Sequence, residues 1–121
     1  MGLTFLKIAV VYLFVGVALG MGIAQNFALV PVHAHLLLLG WASLALAGLV
    51  YHLYPAAATT RLARAHFWLH NLGLPAFMLT LGLYLLGREP LVPVVAGSAI
   101  VVLVGLGVFA VNVLVNARAP S

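Results

Sequence analysis

Residues 31–55 read PVHAHLLLLGWASLALAGLVYHLYP. Between the two prolines stand residues 32–54, with no Asp, Glu, Lys or Arg among them. At about 1.5 Å per residue such a run makes a helix of about 35 Å, enough to cross roughly 30 Å of bilayer hydrocarbon. Lipid offers backbone groups no partners, so a crossing segment must satisfy them internally as a helix. Pro31 has the fixed φ and missing N–H that suit a first helical turn, and Pro55 closes the run.

The same ruler, moved outward, predicts three more spans at 7–24, 66–86 and 91–115, separated by 25–31, 55–65 and 87–90. The expected fold is all-α, an integral-membrane four-helix bundle forming a single domain over residues 1–121. Composition points the same way. The chain is 66% hydrophobic and 5% charged with a mean hydropathy of +1.28, whereas a soluble domain is about half apolar and about a quarter charged. The absence of Cys excludes a disulfide-stapled fold and a cysteine-ligated zinc or iron–sulfur site, and the polar content is too low for disorder. A pI of about 10.2 would suit nucleic acid, but five scattered cations make no patch for a phosphate backbone. The partner of this surface is membrane lipid.

The cations set an expected orientation. Lys7, Arg61, Arg64 and Arg118 fall at the N-terminus, the second loop and the C-terminus, which four crossings place on one side; Arg88 lies in the opposite loop beside Glu89. The positive-inside bias then puts both termini in the cytoplasm, for a multi-pass protein of the inner (cytoplasmic) membrane. The first span also has the marks of a signal peptide, with Lys7, an apolar run from Ile8 and small residues before Gln25. Its Gly16-x-x-x-Gly20 pair suits close helix packing. Myristoylation is not expected, because position 6 is Leu rather than Ser or Thr.

With one Glu and no Asp, the carboxylate pairs, Ser-His-Asp triads and oxygen cages that carry much chemistry are missing. What remains is imidazole, a ligand for haem iron, copper and zinc. His33 and His35 stand at the outer end of the second span. Two residues apart on a helix, they point about 200° apart and suit two sites on two flanks rather than one metal. The alternative is a pair of interfacial histidines wetted by headgroup water. His66 and His70, four apart at the inner start of the third span, share a face and can chelate one ion, with His52 close by in the unrolled topology. Against this stands the comfort of any histidine at the interface that Arg61 and Arg64 mark. His35 and His52 are about 25 Å apart along a helix, so one cofactor cannot touch both ends. Trp41, Tyr51, Tyr54 and Trp68 read as belt or packing aromatics. Pro75 is expected to free the Asn71 carbonyl and bend the third helix, and Asn71 and Asn112 to hydrogen-bond between helices.

Three motifs resemble a known family. The run 31–55 resembles the tenth transmembrane helix of the catalytic subunit of haem-copper oxidases and nitric oxide reductases, with His-x-His, a Gly five residues on and an aromatic ending closed by Pro. HFWLHNLGLP, from His66 to Pro75, resembles the opening of the eleventh helix, and Gly97-Ser98 with Phe109 and Asn112 the twelfth. The resemblance implies that His33 and His35 are haem ligands, holding haem b near the outer face. The family's copper- or iron-binding histidines lie on helices this chain lacks, so one chain cannot rebuild the oxidase centre, and whether it is an oxidoreductase stays open. Family members arrange twelve helices in three arcs of four, and this chain resembles one arc. Association of copies would place a haem between His33 of one and His35 of the next, with Gly40, Ala47 and Gly48 permitting the approach; a homotrimer is the first expectation and a dimer the second.

The functional expectation is a b-type haem protein for electron transfer, or for binding O2 or NO. Two alternatives stand beside it: a non-catalytic assembly or structural module, and a copper- or zinc-handling protein using His52, His66 and His70.

Overall fold

The computed structural model describes residues 1–23 and 27–119. Four long helical stretches run through it. The first is α1 (Gly2–Gly22). The second is continuous through a 3-10 turn (Phe27–Leu29), α2 (Val30–His35), a π-helical segment (Leu36–Ala42) and α3 (Ser43–Leu53). A short α4 (Pro55–Ala58) leads to α5 (Arg61–Leu85), and a 3-10 turn (Glu89–Leu91) opens α6 (Val92–Asn116). No strand occurs among the described residues.

The prolines punctuate the chain as expected: Pro31, Pro55, Pro90 and Pro93 each lie in the first turn of the element they open. Three helices begin earlier than the apolar ruler predicts, α2 by two residues, at Val30 rather than Val32, and two others by more. α1 starts at Gly2 rather than Lys7, and α5 at Arg61 rather than His66, because Thr60 caps α5 by accepting from the Ala63 N–H at 3.0 Å. Ala24, the predicted end of the first span, lies outside the described residues. α5 runs unbroken through Pro75, which sits on its exposed side.

Three stretches, Gly2–Gly22, Phe27–Leu53 and Glu89–Asn116, are long and apolar enough to cross a membrane. α5 has the length too, but Arg61, Arg64, His66, His70 and Asn71 crowd its first half. Surface chemistry agrees with a lipid environment: Phe14, Met21 and Leu114 are 77%, 80% and 84% exposed, and so many bare large apolar side chains do not suit water. The architecture is consistent with a multi-pass membrane protein.

Register follows from close approaches. Gly2 abuts Gly48, Tyr12 abuts Gly40, Gly16 abuts Leu37 and Gly20 abuts His33, so α1 runs antiparallel to the second span. Gly73 meets Val101 and Val102 while Gly105 meets Leu69 and His70, so α5 and α6 are antiparallel too. Apolar burial drives little association inside lipid, and glycines that let backbones approach take over that work. The Gly16-x-x-x-Gly20 expectation is met in this way. Gly40, Ala47 and Gly48 are instead spent within the chain: Gly40 and Gly48 face α1, and Ala47 lies in the core cluster that Phe5 and Ala9 share. The cleared surfaces expected to admit a neighbouring copy are covered by the first helix.

Two clusters fill the bundle. Phe5, Leu44, Tyr51 and Ala63 centre one, at the end that carries Lys7, Arg61, Arg64 and Arg118. Val32, Leu36, Leu74, Met78 and Val102 make the other, toward the end of Arg88 and Glu89.

Candidate functional site

His33 and His35 leave the last turn of α2 in different directions. The His33 ring lies against α1, where its Nδ1–H donates to the Gly16 carbonyl at 2.7 Å. It fills the space a side chain at Gly20 would need. His35 turns toward α5 and meets Phe77 edge-on, with centroids 5.4 Å apart. Its Nδ1–H donates to the Pro31 carbonyl one turn back, at 2.6 Å. A carbonyl can only accept, so each Nδ1 carries the proton and each neutral ring keeps its lone pair on Nε2. That is the tautomer of a histidine ready to ligate a metal, with its second nitrogen held by a backbone oxygen. Both rings are half-buried. The two sit on two flanks of one helix, as their spacing predicts.

The inner histidines behave differently. His66 and His70 are fully buried. The Tyr51 hydroxyl lies 2.9 Å from His66 Nδ1, His66 Nε2 lies 3.1 Å from His70 Nδ1, and His70 Nε2 lies 2.8 Å from the Leu39 carbonyl. The accepting carbonyl sets the polarity of the whole chain. His70 donates through Nε2 and accepts from His66 through Nδ1, and His66 Nδ1 accepts the hydrogen bond that the Tyr51 hydroxyl donates. All four ring nitrogens are thereby occupied with both rings neutral, the form an apolar interior favours.

The π-helical segment supplies the last acceptor. Its pairing gives the Ser43 N–H to the Leu38 carbonyl, where α-helical pairing would give it to Leu39. Leu39 is left with a carbonyl lacking that donor, and His70 reaches it from α5. The Ser43 hydroxyl also bonds Leu38, at 2.8 Å. Phe5 stacks on His66 with centroids 5.1 Å apart and Phe109 flanks the ring at 4.7 Å, closing the site on both sides.

His52 does not join this pair. It is exposed on α3 and lines a groove of about 420 Å³ with Gly2, Leu6 and Gly48. Among the described residues no group of three His, Cys, Asp or Glu could hold a metal ion. Tyr51 and His52 are neighbours on a helix and diverge by about 100°, so the helix that aims Tyr51 at His66 aims His52 away.

Of the aromatics expected to be belt or packing residues, Tyr51 packs in the core as part of the network, whereas Trp68 is 59% exposed. Asn112 meets its expectation. Its amide donates to the Ala57 carbonyl at 3.0 Å and its oxygen accepts from Thr60 and Asn116, fastening α6 to the α4 turn. Asn71 departs from it, donating to the Phe67 carbonyl of its own helix while its buried oxygen finds no partner among the described residues.

No family model, no curated protein and no solved structure matches this chain.

Proposed function

We propose that the chain is a small b-type haem protein of the inner (cytoplasmic) membrane, with both termini inside, that carries electrons as a homo-oligomer. One observation carries the reading. His33 and His35 each hold Nδ1–H on a backbone carbonyl, at 2.7 and 2.6 Å, and keep an Nε2 lone pair that has no partner among the described residues, on different flanks of the second span. Fixing one nitrogen this way makes the other a better-oriented and more basic ligand. The His-x-His motif, which resembles that of haem-copper oxidases, is the second support.

Haem b would supply one-electron chemistry at iron, and the chain's own residues would supply its setting. The Gly16 carbonyl and the Gly20 gap hold the His33 ring in place. Pro31 and Phe77 do the same for His35. Because the two rings diverge, one haem takes a single ligand from any one copy. Pairing His33 of one copy with His35 of the next would give iron two protein ligands, which favours electron transfer over binding of O2 or NO. Closed rings of copies satisfy that pairing, with a trimer first and a dimer second. The free nitrogens of these two rings, set against the occupied ones of His66 and His70, favour haem at the outer pair over copper or zinc at the inner one.

Purified protein tests the reading by its visible spectrum. A Soret band with about one haem per chain, lost in both His33→Ala and His35→Ala, is expected. Carbon monoxide should leave the reduced spectrum unchanged if both axial positions are filled. A colourless, folded protein would refute the proposal, and a carbon monoxide shift would move the role to gas binding.

A further inference from the structure

We propose that a cleft between the start of α1 and the start of α5 binds the phosphate of an anionic membrane lipid. The cleft, of about 180 Å³, is lined by Thr4 of α1 and by Arg64, Phe67 and Trp68 of α5, beside Met1. Its polar side chains offer three donors, the Arg64 guanidinium, the Trp68 indole N–H and the Thr4 hydroxyl, of which only the hydroxyl can also accept. None of the three has a hydrogen-bond or ion-pair partner among the described residues. The Thr4 case stands out, because every other Ser and Thr hydroxyl among those residues is bonded to a nearby backbone carbonyl.

Charge asks for an anion here. The chain's one acidic side chain, Glu89, lies at the far end of the bundle, so Lys7, Arg61, Arg64 and Arg118 share one end that carries no Asp or Glu. Arg61 and Arg64 also occupy the first turn of α5, which has no acidic residue. Cations oppose the positive pole of the helix dipole, and an anion seated there relieves both conflicts. A guanidinium takes two oxygens of one phosphate, and the indole N–H and the hydroxyl on the lining of the same cleft are the donors open to the others. Phe67 and the exposed face of Trp68 continue the cleft as apolar wall, the surface an acyl chain needs. A soluble phosphate would leave that wall unused, so the occupant is a lipid. The inference is independent of haem.

The test uses the full chain carrying Trp41→Phe, so that Trp68 is the single tryptophan and is excited selectively over the tyrosines, in vesicles of phosphatidylglycerol and phosphatidylcholine. Bromine on the acyl chains of one lipid at a time reports which of them occupies the cleft. Phosphatidylglycerol is expected to be preferred by about threefold to tenfold. Arg64→Gln should bring that ratio close to one, Thr4→Val should reduce it by a smaller factor, and Arg118→Gln, at the same end but outside the cleft, should leave it unchanged. Millimolar inorganic phosphate should not displace the lipid. A ratio near one in the parent, equal losses in Arg64→Gln and Arg118→Gln, or displacement by inorganic phosphate would each overturn the proposal.

Discussion

Gly20→Ala adds one methyl group where the His33 ring now lies. The new Cβ would stand 2.5, 2.8 and 3.1 Å from Cε1, Nδ1 and Nε2 of that ring. Ordinary contacts are about 3.5–4.0 Å, so the ring must retreat by about 1 Å. Retreat by that distance carries the 2.7 Å bond to the Gly16 carbonyl past hydrogen-bond range. Overpacking costs about 1–3 kcal/mol and the lost bond about 1 kcal/mol, while alanine recovers up to about 1 kcal/mol of helix propensity. The net expectation is a loss of about 1–3 kcal/mol, together with loss of haem, because the ligand is no longer aimed. Gly22→Ala is the control, since no atom of the described residues lies within 4 Å of its added carbon. Far-ultraviolet circular dichroism during denaturation in detergent reads stability, and Soret absorbance per chain reads haem. If Gly20→Ala matched Gly22→Ala in both readouts, the close seating of His33 on α1 would be wrong.

Tyr51→Phe removes the donor that satisfies His66 Nδ1 and is expected to lower stability by about 1–3 kcal/mol in the same denaturation assay. His52→Ala, one residue on but exposed and unpartnered among the described residues, should change it by less than about 0.5 kcal/mol. Asn112→Ala breaks the fastening between α6 and the α4 turn and should cost about 2–4 kcal/mol, measured by thermal unfolding. Zinc or copper(II) added to purified protein should give no rise in unfolding temperature that depends on His66, because His66 and His70 have their nitrogens occupied; a rise abolished by His66→Ala would show that metal competes for them.

The helices were readable because bilayer thickness, missing charges and prolines at helix starts act locally, and each is visible in a single stretch of chain. Helix starts were less so. Arg61 and Arg64 look like loop by hydropathy, yet the Thr60 cap begins α5 before them. The divergence of His33 and His35 follows from helical phase alone, and the structure realises it through partners, Gly16 and Phe77, that no spacing rule names. The inner network was harder to foresee. His66 and His70 share a face by spacing, but whether Tyr51 is a belt or a packing aromatic, and what it packs on, stays open until the register of α3 against α5 is known. The Leu39 acceptor depends on a π-helical segment for which Leu36–Ala42 gives no signal in composition. Phase could have helped: once Tyr51 faces α5, His52 must turn away, and the three-histidine cluster dissolves.

Co-expression of His33→Ala and His35→Ala chains under different tags tests the central claim most directly. Each variant alone should purify without haem, while mixed oligomers isolated through both tags should recover it at up to about half the parental content, since one intact pair forms where unlike copies meet. Mixed oligomers that stay colourless, or either single variant retaining its full haem, would contradict ligation by His33 and His35 across the subunit boundary.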